Sequence, residues 1–156
     1  MTNKILVTGG AGYIGSHATL ALLQAGYDVV VLDNLCNSSQ ESLLRVESIS
    51  GRRALFIEGD IRDRRLLDEL LATHNIHAVL HFAGLKAVGE SMQKPLDYYD
   101  NNVNGSLTLC QAMASAEVFR FVFSSSATVY GEPTHMPITE DFPTGVPTNP
   151  YGRSKL

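Results

Sequence analysis

The chain alternates short apolar runs with longer segments in which apolar residues recur every three or four positions. The short runs are rich in β-branched and aromatic residues, which favour strands. They predict five strands, at Lys4–Thr8, Asp28–Leu32, Ala54–Glu58, Ala78–Phe82 and Phe119–Ser124.

The segments between these runs predict helices. In one of them, Leu66, Leu67, Leu70 and Leu71 share a single helical face. The predicted helices are Tyr13–Ala25, Gln40–Ile49, Arg62–His74 and Pro95–Ala116. Residues Glu132–Pro150 are rich in proline, threonine and glycine and predict a loop.

Strands that are apolar on both faces and alternate with helices are typical of a parallel sheet covered on both sides. We therefore predict an α/β fold, a doubly wound parallel sheet (Rossmann fold) of at least five strands. Ligands of this fold bind outside the carboxyl ends of the strands.

Composition narrows the possible partners and location. The formal net charge of −4 over 156 residues argues against nucleic acid or an anionic membrane as the main partner. Cys36 and Cys110 form no paired motif, and no run is long enough for a signal sequence or a membrane span. We expect a cytoplasmic protein. His74, His77 and His81 straddle a loop and a strand, so we expect no metal site.

A glycine-rich turn follows the first predicted strand. Gly9, Gly12 and Gly15 have the spacing G-x-x-G-x-x-G between a strand and a helix. Gly9 permits a tight turn, Gly12 allows the backbone to approach a pyrophosphate, and Gly15 allows the helix to lie close to the sheet. The helix N-terminus favours phosphate, so this turn predicts a dinucleotide site.

Two acidic residues end the next two strands. Asp33 can accept hydrogen bonds from both ribose hydroxyls of an adenosine and would repel a 2′-phosphate, which favours NAD over NADP. Asp60 follows the third strand in the same way. It is predicted either to contact the adenine edge or to cap the helix that begins at Arg62.

The last two predicted strands end in small and polar residues. Small side chains after His81 let a dinucleotide pass closely, and Lys86 can reach a phosphate. Ser124, Ser126 and Thr128 share a face if the chain there is extended, and can point together toward a cleft.

Tyr151 and Lys155 stand four apart and lie on one face of a helix. A tyrosine hydroxyl is a poor base at pH 7, but a nearby ammonium and a positively charged nicotinamide ring both favour the phenolate. Such a tyrosine can take a proton from a hydroxyl whose carbon loses hydride to NAD⁺, while Ser126 holds or relays that hydroxyl.

The motifs together resemble one family. GGAGYIGSH, LDNLCNS, GDIRD, HFAGLKAVGES, YYDNNVNG, SSSATVYGEP and PYGRSK are similar to the sugar-nucleotide epimerases of the extended short-chain dehydrogenase/reductase family, through the whole chain. The resemblance implies bound NAD and interconversion of UDP-glucose and UDP-galactose through a transient 4-keto sugar, in galactose metabolism. It also implies a homodimer for the full enzyme.

The resemblance also implies residue roles. Tyr151 would be the catalytic base, Lys155 its partner and a ligand of the nicotinamide ribose, and Ser126 the proton relay; Lys86, Ser126 and Tyr151 would contact substrate. Further positions match NAD-contacting ones: Tyr13, Ile14, Asp33, Asn34, Leu35, Cys36, Asn37, Ser38, Asp60, Ile61, Phe82, Ala83, Gly84, Lys86 and Asn101.

Related dehydratases differ from this chain at two positions of the candidate catalytic site. They carry an aspartate and a glutamate where this chain has Ala127 and Thr128. These two side chains cannot act as acid and base in eliminating water, which favours simple epimerisation.

The family is about twice as long as this chain. We therefore expect residues 1–156 to be an incomplete NAD-binding Rossmann domain that lacks the part binding the UDP-sugar, and to be nearly inactive. A helix as short as the one carrying Tyr151 is not stable alone, so we expect the pair to be disordered or mispositioned. Two alternatives remain open: a non-catalytic NAD-binding fragment, and an epimerase of another sugar nucleotide.

Overall fold

Five parallel strands form the sheet in this computed structural model, which describes residues 4–133 and 135–156. The strands are β1 (Lys4–Thr8), β2 (Asp28–Asp33), β3 (Leu55–Glu58), β4 (Ile76–His81) and β5 (Phe121–Phe123), in the order β3-β2-β1-β4-β5. Because the chain crosses from β3 to β4 past both β2 and β1, a topological switch point lies between β1 and β4. The predicted doubly wound parallel sheet of Rossmann type, with at least five strands, is confirmed.

Seven α-helices are found in the described residues. They are α1 (Tyr13–Gln24), α2 (Glu41–Ser50), α3 (Arg64–His74), α4 (Val88–Gln93), α5 (Pro95–Tyr98), α6 (Gly105–Ser115) and α7 (Pro150–Lys155). A π-helical segment, Tyr99–Asn104, joins α5 to α6, and a 3₁₀ helix spans Ala127–Tyr130.

The central strands of the sheet are buried on both faces, and β1 shows why. Ile5 and Val7 belong to a cluster that includes Leu23 of α1 and Leu43 of α2. Leu6 belongs to a second cluster, with residues of α3 and α6. Alternating side chains of one strand thus serve two cores, as expected for an apolar strand between two helical layers.

The described residues divide into two compact units. A sheet unit contains residues 4–83 and Gly105–Phe123, and a helical unit contains Gly84–Asn104 and Ser124–Leu156. The sheet unit holds β1 to β5 with α1, α2, α3 and α6. The helical unit holds α4, α5, the π-helical segment, the 3₁₀ helix and α7.

Most predicted boundaries shift by one or two residues. The helix predicted from Arg62 begins at Arg64, because the carboxylate of Asp63 accepts a hydrogen bond from Leu66 N–H at 3.0 Å and caps it. The fourth strand runs from Ile76 to His81 rather than from Ala78 to Phe82.

The predicted single helix Pro95–Ala116 is wrong. It consists of α5, the π-helical segment and α6, and α4 before it was not predicted. Lys94 separates α4 from α5 with a non-helical backbone, as the residue before a proline often does. The run Asp100–Asn104 contains short polar side chains that compete with the backbone for hydrogen bonds, which disfavours a regular α-helix there.

The predicted loop Glu132–Pro150 holds neither helix nor strand in its described part, up to Asn149. Thr134 lies outside the described residues. Pro150 instead begins α7, in the first-turn position that suits a proline.

Candidate nucleotide site and candidate catalytic site

The glycine-rich turn of the sheet unit is built by close backbone contacts. Gly9 has φ +70°, and a Cβ on it would stand 2.5 Å from Ala83 N. A Cβ on Gly15 would collide with the carbonyl oxygen of Gly9. Gly15 therefore packs on the glycine-rich turn itself. The sequence had indicated packing of the helix against the sheet at this position. A glycine not singled out from the sequence, Gly10, lies against β2, where a Cβ would be 2.7 Å from the Val31 side chain.

Gly12 differs from these glycines. A Cβ there would meet, among the described residues, only Gly9 O at 3.3 Å. Gly12 also precedes α1 without a side-chain cap, so N–H groups of the first turn are left for an external acceptor. Open space and helical N–H groups fit an approaching phosphate. Tyr13 and Ile14, which begin α1, are exposed.

Asp33 is buried at the end of β2 and tied to this turn. One carboxylate oxygen accepts from Ala11 N–H at 3.0 Å. The other accepts from Leu35 N–H at 3.0 Å and from Ser38 Oγ at 2.8 Å. The carboxylate is thereby fixed in orientation and keeps acceptor capacity, which fits a ligand hydroxyl.

The loop after β2 places the other predicted residues Asn34 to Ser38. Asn34 Nδ2 donates to Asp60 at 3.0 Å, and Cys36 N–H donates to Asn34 Oδ1 at 3.2 Å. Cys36 and Asn37 are exposed, and Cys36 is a free thiol. Partial desolvation of the thiol, followed by the nearby carboxylates of Asp33 and Asp60, raises the pKa of Cys36.

Asp60 binds the side chain of Arg62 and does not cap a helix. Its carboxylate accepts from Arg62 Nε at 2.9 Å, Nη2 at 2.7 Å and N–H at 2.9 Å. The hydrogen bond from the Arg62 side chain holds the pKa of Asp60 well below its usual range. Because Asp63 caps α3, the helix-cap alternative for Asp60 is wrong. Contact with an adenine remains a prediction. Ile61 is buried beside Gly105.

The end of β4 carries a buried polar chain. His81 Nδ1 lies 2.6 Å from Thr8 Oγ1, and Nε2 lies 2.8 Å from Ser106 Oγ. Phe82 N–H then donates to Thr8 O at 2.9 Å, which continues the pairing of β1 and β4 beyond the strands. Phe82 and Ala83 follow, both half-buried.

In the helical unit, α7 carries Tyr151 and Lys155 on one face. Asn149 caps α7 by accepting from Gly152 N–H at 2.8 Å. Lys155 is only 7% exposed, and its Nζ donates to Ser124 O at 3.2 Å. Burial lowers the pKa of Lys155. Gly84 lies against this ammonium, since a Cβ on Gly84 would be 3.1 Å from Nζ.

The Tyr151–Lys155 pair was expected to be disordered or mispositioned, but it lies on a formed helix, α7. Ser125 Oγ donates to Lys155 O at 2.8 Å, and Ser154 Oγ donates to Tyr151 O at 2.7 Å. The bond from Ser125, 30 residues away in the chain, gives α7 tertiary support, which is what stabilises short helices, while the Ser154 bond and the Asn149 cap are local to the helix.

Asn102 is a site residue that the sequence did not reveal. Its Oδ1 accepts from Leu85 N–H at 2.8 Å and from Asn101 Nδ2 at 2.9 Å. Its Nδ2 donates to Leu85 O at 2.9 Å and to Ser154 Oγ at 2.8 Å. The buried amide of Asn102 thus connects Leu85, which follows Gly84, to Ser154 of α7. The available signal was two adjacent asparagines within an apparently helical run.

Tyr98 is a second such residue. Its ring meets Tyr151 edge-on, with centroids 6.4 Å apart. Its buried hydroxyl accepts from Ala87 N–H at 3.0 Å and lies 2.9 Å from Ala87 O and 3.0 Å from Glu90. Burial, followed by the hydrogen bond to Glu90, raises the pKa of Tyr98. The neighbouring Lys86 is exposed.

The sequence suggested that Ser126 and Thr128 share a face of extended chain. In the structure they do not lie on one extended segment. Ser126 is extended, but the 3₁₀ helix begins directly after it. The two side chains nevertheless meet, since Thr128 Oγ1 donates to Ser126 Oγ at 3.0 Å. Ser124 contributes its carbonyl oxygen, which accepts from Lys155 Nζ.

Neither a metal site nor a membrane span is found in the part of the chain that the structure describes. No three His, Cys, Asp or Glu side chains there come together as ligands, and no helix there is both long and apolar enough to cross a bilayer.

The chain belongs to the NAD dependent epimerase/dehydratase family, whose sequence profile matches residues 5–156. Among its relatives are proteins named UDP-glucose 4-epimerase: one from Haemophilus influenzae, 64% identical over 151 residues, and one from Yersinia pestis, 59% identical over 152 residues. Each alignment covers 97% of this chain and 45% of the relative.

A solved structure agrees with these relatives. UDP-glucose 4-epimerase from Bifidobacterium longum, crystallised with NAD⁺ and UDP, superposes with a TM-score of 0.95 at 53% identity. The match covers 98% of this chain and 46% of that one. The chain thus spans about half the length of the proteins it matches.

Proposed function

We propose that the chain is the NAD-binding part of a UDP-glucose 4-epimerase, which interconverts UDP-glucose and UDP-galactose through a transient 4-keto sugar. The observation that carries this proposal is the α7 arrangement. Tyr151 stands one turn from a buried Lys155, and both are fixed by Asn102, Ser125 and the Asn149 cap. The relatives' names supply the reaction.

The sheet unit would hold the adenosine and pyrophosphate of NAD. The first turn of α1 offers N–H groups beside the open face of Gly12. Asp33 would accept from the ribose hydroxyls, since its carboxylate is held in place by Ala11, Leu35 and Ser38. The same negative charge opposes the extra phosphate of NADP.

The helical unit would move the proton. NAD⁺, when bound, accepts a hydride from C4 of the sugar and later returns it. Tyr151 takes the proton of the C4 hydroxyl and gives it back, and the charge of Lys155 favours the phenolate that this requires. Ser126 holds the C4 oxygen. Ala127 and Thr128 provide no carboxyl group, so elimination of water has no acid or base at these positions.

The test has two measurements. Calorimetric titration with NAD should show saturable binding by residues 1–156, and Asp33→Asn should weaken it. Conversion of UDP-galactose to UDP-glucose should be found in the complete gene product and be nearly absent from residues 1–156 alone. NAD binding without conversion in the complete product would favour the non-catalytic alternative. Faster conversion of an N-acetylated UDP-hexose would favour the alternative of another sugar nucleotide.

Three further expectations remain part of this proposal. A homodimer for the full enzyme can be checked by light scattering. A cytoplasmic location agrees with the free thiols of Cys36 and Cys110 and can be checked by fractionation. The net charge of −4 argues against nucleic acid as a partner, which a gel-shift assay can check.

A further inference from the structure

Ser126 receives two hydrogen bonds, both from Thr128. Thr128 N–H donates to Ser126 Oγ at 3.3 Å, and Thr128 Oγ1 donates to the same atom at 3.0 Å. A hydroxyl group has one hydrogen and two lone pairs. With both lone pairs occupied, Ser126 has only its hydrogen left for any other partner.

The position of Thr128 is set by its surroundings in the helical unit. It lies on the 3₁₀ helix Ala127–Tyr130, next to the buried Val129. Its Cβ and Oγ1 both lie 3.3 Å from where a Cβ on Gly152 would stand. Thr128 therefore packs on the first turn of α7, beside Tyr151.

We propose that Thr128 is a positioning residue that makes Ser126 a one-way hydrogen-bond donor to the C4 oxygen of the sugar. This proposal rests on the proposed function. The proton of the C4 hydroxyl then passes directly to the Tyr151 phenolate. The C4–H electron pair leaves as hydride to NAD⁺, and the C4–O single bond becomes a double bond. Ser126 keeps its own proton throughout and donates to the oxygen before and after transfer.

The alternative is a relay in which Ser126 accepts the C4 proton and passes its own to Tyr151. A relay needs a free lone pair on Ser126. Thr128 occupies it, so the relay would first have to break the hydrogen bond between the two hydroxyls. The structure therefore favours a Ser126 that holds the C4 oxygen over one that relays its proton.

A thiol at position 126 reports directly on the hydrogen bond from Thr128. The measurement uses residues 1–156 with Cys36→Ser, Cys110→Ser and Ser126→Cys, and follows the rate of alkylation by iodoacetamide against pH. Adding Thr128→Val removes one donor to the sulfur and should raise the thiol pKa by about 0.5 or more, while Thr128→Ser should not. Thr144→Val, at an exposed threonine, is the control. An equal or lower thiol pKa with valine would overturn the proposal.

The complete gene product tests the consequence for turnover. Thr128→Val should lower kcat about five-fold with KM and NAD affinity unchanged, and Thr128→Ser should restore it. In the unaltered protein, kcat should depend linearly on the deuterium fraction of the solvent, as for one proton in flight. A curved dependence would indicate the relay. If the unaltered protein shows no turnover, the proposed function fails and so does the role given to Ser126, whatever the thiol reports about the bond itself.

Discussion

Asn102 Nδ2 donates a hydrogen bond to Ser154 Oγ at 2.8 Å, and Ser154 donates in turn to Tyr151 O at 2.7 Å. A buried amide from the π-helical segment thus orients the turn of α7 that carries the tyrosine. The same amide also bonds both backbone groups of Leu85.

Asn102→Ala should destabilise the protein by about 2–4 kcal/mol, because buried partners at Leu85 and Ser154 lose their hydrogen bonds. Urea unfolding measures the difference. Asn104→Ala is the control, since Asn104 is exposed two residues away, and it should change stability by about 0.5 kcal/mol or less. Equal effects of the two substitutions would contradict the role given to Asn102.

Gly12 and Gly15 should respond differently to alanine. Gly15→Ala forces a Cβ into the carbonyl oxygen of Gly9 and should prevent folding or cost several kcal/mol. Gly12→Ala requires only a small shift, since its Cβ would come 3.3 Å from Gly9 O, so it should cost about 1 kcal/mol, yet reduce NAD affinity at least about ten-fold by filling the space for the pyrophosphate.

Thermal unfolding and NAD titration of the same two variants separate these effects. Gly89→Ala serves as a further control, because no described atom lies within 4 Å of its Cβ position in α4. It should leave NAD affinity unchanged and be neutral or slightly stabilising. Unchanged NAD affinity in Gly12→Ala would mean that phosphate does not bind at this turn.

Gly84 lies against the ammonium of Lys155, and this contact gives a third prediction. A Cβ at 3.1 Å from Nζ must displace a buried group that is bonded to Ser124 O. Gly84→Ala should therefore cost about 1–2 kcal/mol. In a Lys155→Ala background the same change should cost less, because only the approach to Asn102 Oδ1 at 3.3 Å remains, and a double-mutant cycle measures the coupling. Additive effects would show that the ammonium yields without cost.

The sheet could be predicted from the sequence because its strands are apolar on both faces, a pattern that few arrangements other than a covered parallel sheet satisfy. Thr8, for example, ends a strand just before Gly9, and both the strand and the turn appear where the pattern places them. The left-handed conformation of Gly9 could also be anticipated, since a tight turn after a strand requires it locally, whereas the NAD-binding roles of Gly12 and Asp33 remain predictions.

The segment from Val88 to Asn104 could not be predicted in this way. The apolar spacing of Pro95–Ala116 favours one long helix, but the hydrogen bonds of Asn102 run to Leu85 and Ser154, which are 17 and 52 residues away in the chain. Likewise, nothing local marks Gly84 as the neighbour of Lys155. Such contacts depend on tertiary packing, which overrides local propensity.

Arg62 and Asp60 give a prediction for pH dependence. The pKa of Asp60 is lower in the folded chain than its ordinary value, so its ionised form favours folding. This stabilisation is present above about pH 4 and is lost as the pH falls toward the folded-state pKa. Because the two side chains are 41% and 26% exposed, its contribution at pH 7 should be about 1 kcal/mol.

Arg62→Ala should therefore lower the free energy of unfolding by about 1 kcal/mol at pH 7, and the loss should shrink steadily below about pH 4. Urea unfolding across this range measures it. In an Asp60→Asn background, the part of this loss that depends on pH should disappear. Arg45→Ala, which removes an exposed pair with Glu41, should cost less at pH 7. A loss in Arg62→Ala that is constant with pH would show that the guanidinium acts by packing and not by charge.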